Sequence, residues 1–302
     1  MEPGELRRVD TGNCRDLYLL ETGMYDVTGY GAVYIVDDDR PAVIETGIGT
    51  NYDAILEGLA KLDIEPEQVE VIAVTHVHLD HAGGAGFLAD ACENATVLVH
   101  EVGAPHLVDP ERLIAGTKQA VGDQWQYYTE PAAVPEERIR EIVEGDRIDL
   151  GTHTLTALSA PGHAPHQVVF HVPTMDAVFT GDAAGIWVPE WETVVETSPP
   201  PNFDLEQALA DLETIRACEP QTLLYTHFGP AGRASSRLES FGEVLTAWVE
   251  EVASVREELA DEDAVMEYFA ERTERAAVWS DHKARAEARV NVKGVLHYLD
   301  RQ

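Results

Sequence analysis

Residues 75–84 read THVHLDHAGG and place four potential metal ligands, three histidines and one aspartate, within six residues. They follow the apolar, β-branched run 69–75, which predicts a buried strand. Three buried histidines and a carboxylate need many hydrogen-bond partners, and an apolar core does not supply them. A loop at the end of a strand can turn these side chains to one side, so the stretch predicts a metal site.

Three shorter motifs follow that stretch along the chain, each after a further predicted strand. They are Pro161-Gly162-His163, Thr180-Gly181-Asp182 and Thr226-His227-Phe228-Gly229-Pro230. The four motifs in this order resemble the signature of the metallo-β-lactamase superfamily, over roughly residues 15–230. The resemblance implies an α/β fold, a four-layer αββα sandwich with the site at the edge of two packed sheets.

The resemblance also implies which residues hold which metal ion. One ion would be held by His76, His78 and His163, and a second by Asp80, His81 and His227, with Asp182 bridging both. All seven donors are nitrogen or oxygen atoms, which suit zinc and also manganese or iron. We therefore expect two divalent metal ions per chain as cofactors, with zinc as the first choice.

Two features depart from patterns within the family. The true β-lactamases typically place a cysteine at the second metal ion, whereas Cys14, Cys92 and Cys218 all lie outside the motifs. Antibiotic hydrolysis is therefore not expected. Many members also have Asp-Thr-Gly after the first hairpin, where this chain has Glu45-Thr46-Gly47. The family aspartate supports the ligands, and we expect Glu45 to do so with a longer reach.

A site with two metal ions implies a hydrolase. Two neighbouring cations lower the pKa of a bridging water, and the resulting hydroxide attacks a polarised carbonyl. Asp80 is the expected catalytic residue, because a carboxylate there can orient the nucleophile and carry its proton. We expect a carbonyl-ester substrate, either a thioester as in glyoxalase II-like enzymes or a lactone as in homoserine-lactone hydrolases. Three alternatives stay open: a phosphodiesterase or ribonuclease, a mono-iron persulfide dioxygenase, and a non-catalytic metal-stabilised binding protein.

The candidate substrate contacts lie outside the motifs. Tyr225 precedes the last histidine motif and is expected to be a core residue of its strand, with a hydrogen bond to the substrate as the alternative. Trp187 follows the aspartate motif and is expected to pack within its loop, with a place in the wall of the substrate pocket as the alternative. His166 is expected either to support the ligands from behind or to lie at the surface. Residues 103–145 are expected to be irregular with short helical pieces, and their aromatic patch at 125–128, WQYY, is a candidate lid.

The composition limits the classes of partner. The chain has 302 residues, 21 basic and 55 acidic side chains, and a formal net charge of −34. A nucleic-acid-binding protein needs a basic surface, and an anionic membrane would repel this chain, so neither partner is expected. Many acidic residues with only four lysines are typical of proteins in molar salt, where ions screen the self-repulsion, so we expect a halophilic source.

Three isolated cysteines, no N-terminal signal sequence and no long apolar window predict a reduced, cytoplasmic protein. We expect a metallo-β-lactamase-like domain over residues 1–231 and a helical C-terminal extension over 232–302. Apolar residues in that extension form a seam at alternating spacings of three and four: Leu238, Phe241, Leu245, Trp248, Val252, Val255 and Leu259. We expect the seam to pack on its own domain, with a homodimer interface or a wall of the substrate pocket as the alternative.

Overall fold

A computed structural model describes residues 1–302 and contains two large sheets and a short hairpin. The first sheet has seven strands, in spatial and chain order: β1 (Leu6–Arg8), β2 (Leu17–Glu21), β3 (Ala32–Val36), β4 (Ala42–Ile44), β5 (Val71–Ala73), β6 (Thr96–His100) and β7 (Ile139–Ile142). Neighbours pair antiparallel from β1 to β4 and parallel from β4 to β7. The parallel pairs need crossover connections, and helices between β4 and β7 provide them.

The second sheet is formed by the following half of the chain. Its strands and the separate hairpin are β8 (Arg147–Asp149), β9 (Thr154–Ser159), β10 (Val168–Val172), β11 (Ala177–Gly181), the hairpin strands β12 (Ile186–Val188) and β13 (Thr193–Val195), then β14 (Thr222–Tyr225) and β15 (Pro230–Gly232). The spatial order in the sheet is β15-β14-β11-β10-β9-β8, and only β11 and β14 pair in parallel.

Nine α-helices accompany the sheets. They are α1 (Tyr52–Ala60), α2 (Leu79–Ala82), α3 (Ala85–Ala91), α4 (Ala104–Val108), α5 (Glu111–Val121), α6 (Leu205–Ala217), α7 (Ala234–Leu259), α8 (Glu262–Arg272) and α9 (Asp281–Leu299). Several short 3-10 turns connect these elements, including Met24–Asp26 and Gly122–Tyr127 beside the site described below. None of the helices combines the length and the hydrophobicity that a membrane crossing requires.

The core lies in three layers of side chains because alternate residues of a strand point to opposite faces. In β3, Tyr34 packs between the two sheets, whereas Val33 and Ile35 pack outward with helices α1 and α3. On the outer face of the second sheet, Leu223 and Tyr225 of β14 pack with helices α6 and α7. The order helix, sheet, sheet, helix is the four-layer αββα sandwich, so the predicted fold class is confirmed.

The seam of the C-terminal extension packs against its own chain. Leu238, Leu245 and Val252 of α7 are completely buried, and they join the cluster on the outer face of the second sheet. Trp248 is only half-buried, since Val249 is the buried residue of that turn, and Leu259 at the end of the seam is 41% exposed. Intramolecular packing was the first of the two expectations for this seam. The domain division at residue 231 and the homodimer stay predictions.

Residues 103–145 are more regular than expected. They contain α4, the eleven-residue helix α5 and the strand β7. Leu113, Ile114 and Val121 lie on one side of α5 at helical spacing, although none is fully buried. The short helical pieces that the sequence predicts are present, whereas an irregular path is wrong for residues 111–121, which form one regular helix.

Candidate metal centre

Four strand ends place the motif residues at one edge of the sandwich. The stretch 75–84 follows β5, and the motifs of His163, Asp182 and His227 follow β9, β11 and β14. Backbone hydrogen bonds join the two sheets here: Val168 N–H donates to the carbonyl of Thr75 at 2.8 Å. The same edge therefore receives side chains from both sheets, held on rigid elements.

The first group of side chains consists of three histidines. His78 Nδ1 lies 3.0 Å from His76 Nε2 and 3.1 Å from His163 Nε2. Three ring nitrogens therefore point at one another from three directions, with His76 fully buried and His163 4% exposed. Imidazole nitrogens gathered in this way are the ligand set of a zinc-type cation.

The second group contains the remaining ligands. Asp80 Oδ2 lies 3.9 Å from both His81 Nε2 and His227 Nε2. Asp182 stands between the two groups, with Oδ1 3.4 Å from His81 and 3.5 Å from His227, and Oδ2 3.4 Å from His163. This is the place that a bridging carboxylate would occupy. The structure brings all seven predicted side chains together, and their ligation of metal stays a prediction.

The electrostatics of the cluster suit a cation. Burial favours the neutral acid at Asp182, but the neighbouring imidazoles of His81 and His163 lower its pKa below the usual range. Burial also lowers the pKa of His163 to about 3, so this ring is a neutral ligand at pH 7. Burial opposes the charged form of His81, yet the carboxylates of Asp182, Asp80 and Glu45 raise its pKa well above the usual value.

Several buried polar atoms of the cluster have no hydrogen-bond partner. Both ring nitrogens of His81 and Oδ1 of Asp182 are among them. Such orphaned atoms cost free energy unless something satisfies them, and divalent metal ions would do so. The residues present therefore fit the metal ions that the sequence predicts.

Residues behind the ligands hold them in place. Glu45 is 1% exposed, and its Oε2 lies 3.5 Å from His81 Nδ1, while Oε1 accepts a hydrogen bond from Thr75 N–H at 3.3 Å. Glu45 therefore lies where the expected support would come from, and that role stays a prediction. The Thr75 hydroxyl lies 3.1 Å from His76 Nδ1 and orients that ring. A Cβ on Gly84 would lie 2.4 Å from the Thr46 carbonyl, so only glycine fits there.

A cavity of about 370 Å³ opens onto the cluster. Its floor includes His78, Asp80, His163, Asp182 and His227. Its walls come from α5, the segment Gly122–Tyr127 with Tyr128, the prolines at 199–201 and α9. The C-terminal extension therefore does form a wall of the cavity, although through α9 rather than through the seam of α7.

The two predicted substrate contacts lie elsewhere. Tyr225 is completely buried in the outer cluster of the second sheet, and Trp187 packs in the same cluster under the guanidinium of Arg237, 3.4 Å from its ring centre. Neither residue lines the cavity. Tyr225 points to the helix-covered face of β14 because the strand alternation puts it there. Both substrate-contact predictions are corrected on this ground.

Other predicted residues do line the cavity. His166 is 8% exposed and its Nδ1 accepts a hydrogen bond from Val77 N–H at 3.4 Å, so it lies behind the histidine cluster rather than at the surface. Of the aromatic patch 125–128, Tyr128 reaches the cavity, and its hydroxyl is hydrogen-bonded to that of Tyr25. Trp125 stacks on the ring of Tyr128 from behind, at a centroid distance of 5.3 Å.

Sequence reasoning missed the cavity residues Tyr25, Tyr30, Arg112, Lys283 and Asn291. The rings of Tyr30 and His227 stack, with centroids 4.3 Å apart. None of these residues belongs to a local motif. Arg112 comes from α5, Lys283 and Asn291 come from α9, and Tyr25 and Tyr30 come from the segment between β2 and β3. Only tertiary packing brings these distant segments to the cluster, so no local signal in the sequence marks them.

Comparison with known proteins identifies the family. A family model described as the metallo-beta-lactamase superfamily matches residues 27–227, more than half of the chain. The chain belongs to the metallo-beta-lactamase superfamily. Members of this superfamily are generally metal-dependent hydrolases, and the histidine and aspartate groups described above are compatible with divalent metal ions.

Three relatives show how diverse the superfamily is. A metallo-beta-lactamase fold-containing protein of Sulfurisphaera tokodaii is 26% identical over 72% of this chain and 79% of that protein. A hydroxyacylglutathione hydrolase of Erythrobacter litoralis is 25% identical over 73% of this chain and 72% of that enzyme. A diflavin flavoprotein of Synechocystis is 28% identical over 57% of this chain, but this chain spans only 26% of its length.

Solved structures show the same fold. An archaeal superfamily protein from Sulfolobus tokodaii superposes with a TM-score of 0.69 at 21% identity, covering 94% of this chain and 99% of that one. A family protein from Thermus thermophilus gives a TM-score of 0.64 at 20% identity, with 90% of this chain and 88% of that one covered. At these identities the likeness concerns the fold.

Proposed function

We propose that this superfamily member is a dinuclear metal-dependent hydrolase that cleaves a carbonyl ester, either a thioester or a lactone. The observation that carries the proposal is the arrangement of the seven donors. Two groups of imidazoles lie on the two sides of Asp182, each oxygen of which faces a different group. Both groups are open to the cavity through His78 and Asp80.

The donor sets assign the cofactors within this proposal. His76, His78 and His163 would hold one ion, and Asp80, His81 and His227 the other, with Asp182 between them. Zinc suits this nitrogen-rich set, and manganese or iron are alternatives. When bound, such ions supply an activated water at neutral pH and polarise the carbonyl that it attacks.

Asp80 is the proposed catalytic residue. Its side chain is 23% exposed and lines the cavity, whereas the side chains of the histidines beside it are almost completely buried. The imidazoles of His81 and His227 lower its pKa against the effect of burial, so it is ionised and can accept a proton. From this position Asp80 can orient the attacking water and pass its proton to the leaving atom.

Tyr25, Tyr30 and Tyr128 line the cavity around Asp80. Burial, and then the nearby Asp80 carboxylate, raise the pKa of Tyr128 well above its usual value, so its hydroxyl keeps its proton. A neutral hydroxyl can donate a hydrogen bond to an acyl oxygen. The three rings also limit the access of bulk water, which strengthens the electrostatic interactions inside the cavity.

Thioester hydrolysis is the first substrate class to test. It is supported by the hydroxyacylglutathione hydrolase relative, whose similarity covers 73% of this chain. The net charge of −34 makes nucleic-acid substrates the less favoured alternative. The same charge supports a further part of the proposal: the protein works in a cytoplasm that contains molar salt, where cations screen the repulsion between carboxylates.

The deciding experiment measures hydrolysis of one acyl thioester and one acyl lactone, side by side, by zinc-loaded or manganese-loaded protein in high-potassium buffer. Metal content, iron included, is determined on the protein as purified and again after loading. The proposal expects two metal ions per chain and turnover of at least one ester, which Asp182→Asn abolishes. A single iron per chain without ester turnover would contradict it and favour the dioxygenase alternative.

A further inference from the structure

His163 differs from His76 in the way its ring is held. Its Nε2 faces the cluster, 3.1 Å from His78 Nδ1 and 3.4 Å from Asp182 Oδ2. In His76 the nitrogen that points away from the cluster lies 3.1 Å from the Thr75 hydroxyl. The corresponding nitrogen of His163, Nδ1, is buried and has no hydrogen-bond partner. No hydrogen bond therefore orients the His163 ring from behind, so its position depends on the backbone that carries it.

That backbone lies directly on helix α6. Gly162, the residue before His163, has both of its backbone polar groups bonded to the beginning of this helix. Its N–H donates to Asp211 Oδ2 at 2.7 Å, and its carbonyl accepts from Asp204 N–H at 2.8 Å. A Cβ on Gly162 would lie 2.2 Å from the backbone nitrogen of Ala208, so only glycine allows this close approach. The residue that precedes the candidate ligand is therefore held on two sides.

Asp211 is an unusual residue for its place on α6. It is 1% exposed and shares the buried face of the helix with Leu212 and Ile215. Its partners are two neutral amide groups rather than a cation. Burial raises the pKa of its carboxyl to about 6, and the hydrogen bonds from Gln207 and Gly162 oppose this rise without cancelling it. Burying such a group costs free energy, so stability alone does not explain why it is there.

A network within α6 fixes the Asp211 carboxylate. Asp204 caps the helix, and its Oδ1 accepts a hydrogen bond from Gln207 N–H at 3.0 Å. Gln207 Nε2 donates in turn to Asp211 Oδ1 at 2.8 Å. Residues 204, 207 and 211 follow one another at helical spacing, so they share one face of α6. The oxygen that faces Gly162 is therefore placed by the helix and not by the metal cluster.

We propose that Asp211 is a positioning residue for the metal centre, because it holds Gly162 so that His163 Nε2 can meet the first metal ion. The inference rests on the proposed function, specifically on its dinuclear centre, and deepens it. Asp211 does not line the cavity, so it acts through the backbone and not on the substrate. The motif Pro161-Gly162-His163 thus depends on an acceptor that lies 49 residues further along the chain.

The test uses cobalt(II), a metal ion that nitrogen and oxygen donors bind and whose visible absorption depends on the coordination geometry. The metal-free full chain is titrated at neutral pH, and competition with a chelating dye gives a dissociation constant for each site. We compare wild type with Asp211→Ala, which removes the acceptor, and with Asp211→Asn, which keeps one. Leu212→Ala is the matched control, because Leu212 is 3% exposed on the same helix but offers no hydrogen bond to Gly162.

Asp211→Ala should weaken the first metal site about tenfold and change its cobalt spectrum, whereas the second site should keep its dissociation constant. Asp211→Asn should stay near wild type, since its Oδ1 can accept from Gly162 while its amide donates to a reoriented Gln207. Leu212→Ala should lower Tm at least as much as Asp211→Ala does and leave both dissociation constants unchanged. A merely structural role of Asp211 would not separate Tm from metal affinity in this way.

Three results would overturn the inference. The first is a wild-type dissociation constant and spectrum in Asp211→Ala. The second is an equal loss of affinity in Leu212→Ala, which would indicate general destabilisation. The third is an equal loss in Asp211→Asn, because an acceptor for Gly162 would then make no difference. If Asp211→Ala fails to fold, Asp211→Val takes its place, since it fills more of the space and still offers no acceptor.

Turnover of the thioester and the lactone is measured separately on the same variants. Cobalt affinity that depends on Asp211, without turnover, would support the positioning role and contradict the hydrolase. Turnover with a cobalt affinity that is indifferent to Asp211 would do the reverse. Wild type that binds no cobalt would contradict both, since no metal centre would then exist for Asp211 to support.

Discussion

Glu45 Oε2 lies 3.5 Å from Nδ1 of His81, and the two side chains are 2% and 0% exposed. The carboxylate therefore faces one nitrogen of the imidazole, while the other nitrogen, Nε2, faces Asp182 and Asp80. Glu45 itself has φ of +67°, a left-handed conformation that non-glycine residues adopt at a cost. The surrounding structure therefore holds Glu45 in this unfavourable backbone conformation beside His81.

Replacing Glu45 by glutamine should weaken the second metal site before the first. The amide keeps the shape but loses the negative charge that makes His81 a stronger ligand. Loss of such support typically costs about 10-fold to 100-fold in metal affinity. Competition with a chelator, followed by metal analysis, measures the effect. Glu21→Gln is the control, since Glu21 is equally buried but lies outside the cluster. Equal losses of metal affinity in both variants would contradict a specific role of Glu45 in metal binding.

Replacing His163 by alanine should lower metal content and activity together while the fold persists. His163 lies 3.1 Å from His78 and 3.4 Å from Asp182, so it contacts both the first group and the carboxylate between the groups. We expect metal content to fall from about two ions per chain towards one. Elemental analysis and circular dichroism measure the two quantities. His171→Ala, on β10 and away from the cluster, is the matched control. Normal activity with a normal metal load would refute the ligand assignment.

The cluster of candidate ligands could be predicted from the sequence because each residue lies in a short motif at the end of a strand. Strand ends on one sheet edge meet in space, so local patterns were sufficient for His76, Asp182 and His227. Tyr225 shows the limit of that reasoning. It is only two residues from His227, yet it is the last residue of β14 and is buried on the helix-covered face, whereas His227 lies beyond the strand end.

The cavity walls depend on contacts between distant parts of the chain. Lys283 reaches Tyr25 and Tyr30 across more than 250 residues of sequence because α9 packs back over the site. Helix α5 brings Arg112 to the cavity, and no local motif marks that residue. Substrate recognition in this fold is therefore far less visible in the sequence than metal ligation is.

His166 should make the metal-free protein sensitive to mild acid. Burial, followed by the charges of His78 and His106, lowers the pKa of His166 to about 2. The unfolded chain takes up this proton near pH 6.5, whereas the folded protein does not, so this contribution to stability is complete above pH 6.5 and is lost as the pH falls towards 2.

Between pH 6 and pH 5, chelator-treated wild type should therefore lose about 1 kcal/mol more of its unfolding free energy than His166→Gln does. Urea denaturation at the two pH values measures the difference. His282→Gln, at the exposed start of α9, should show the wild-type dependence. Parallel pH profiles for wild type and His166→Gln would mean that this buried ring does not control the acid response.

Leu245→Ala should strongly destabilise the protein, and Leu259→Ala should not. Both leucines belong to the same seam of α7, but Leu245 is 0% and Leu259 is 41% exposed. A cavity left by a fully buried leucine costs about 2–5 kcal/mol, whereas an exposed position costs roughly 0.5 kcal/mol or less. Chemical denaturation compares the two. Equal effects would indicate that Leu259 is also covered, as a homodimer through the C-terminal helices would cover it.

Potassium chloride should stabilise the protein well beyond what an uncharged solute achieves. The net charge of −34 spreads repulsion over the whole surface, and exposed ion pairs such as that between Lys118 and Glu130 are too few to balance it. At molar salt the screening length falls to about 3 Å, so most of this repulsion disappears. We expect Tm to rise by about 5 °C or more between about 0.1 M and 2 M KCl. Sorbitol at the same osmolality separates screening from general solute exclusion. An equal rise of Tm in sorbitol would show that electrostatic screening is not the cause. The net charge would then no longer support the proposal of a salt-adapted protein.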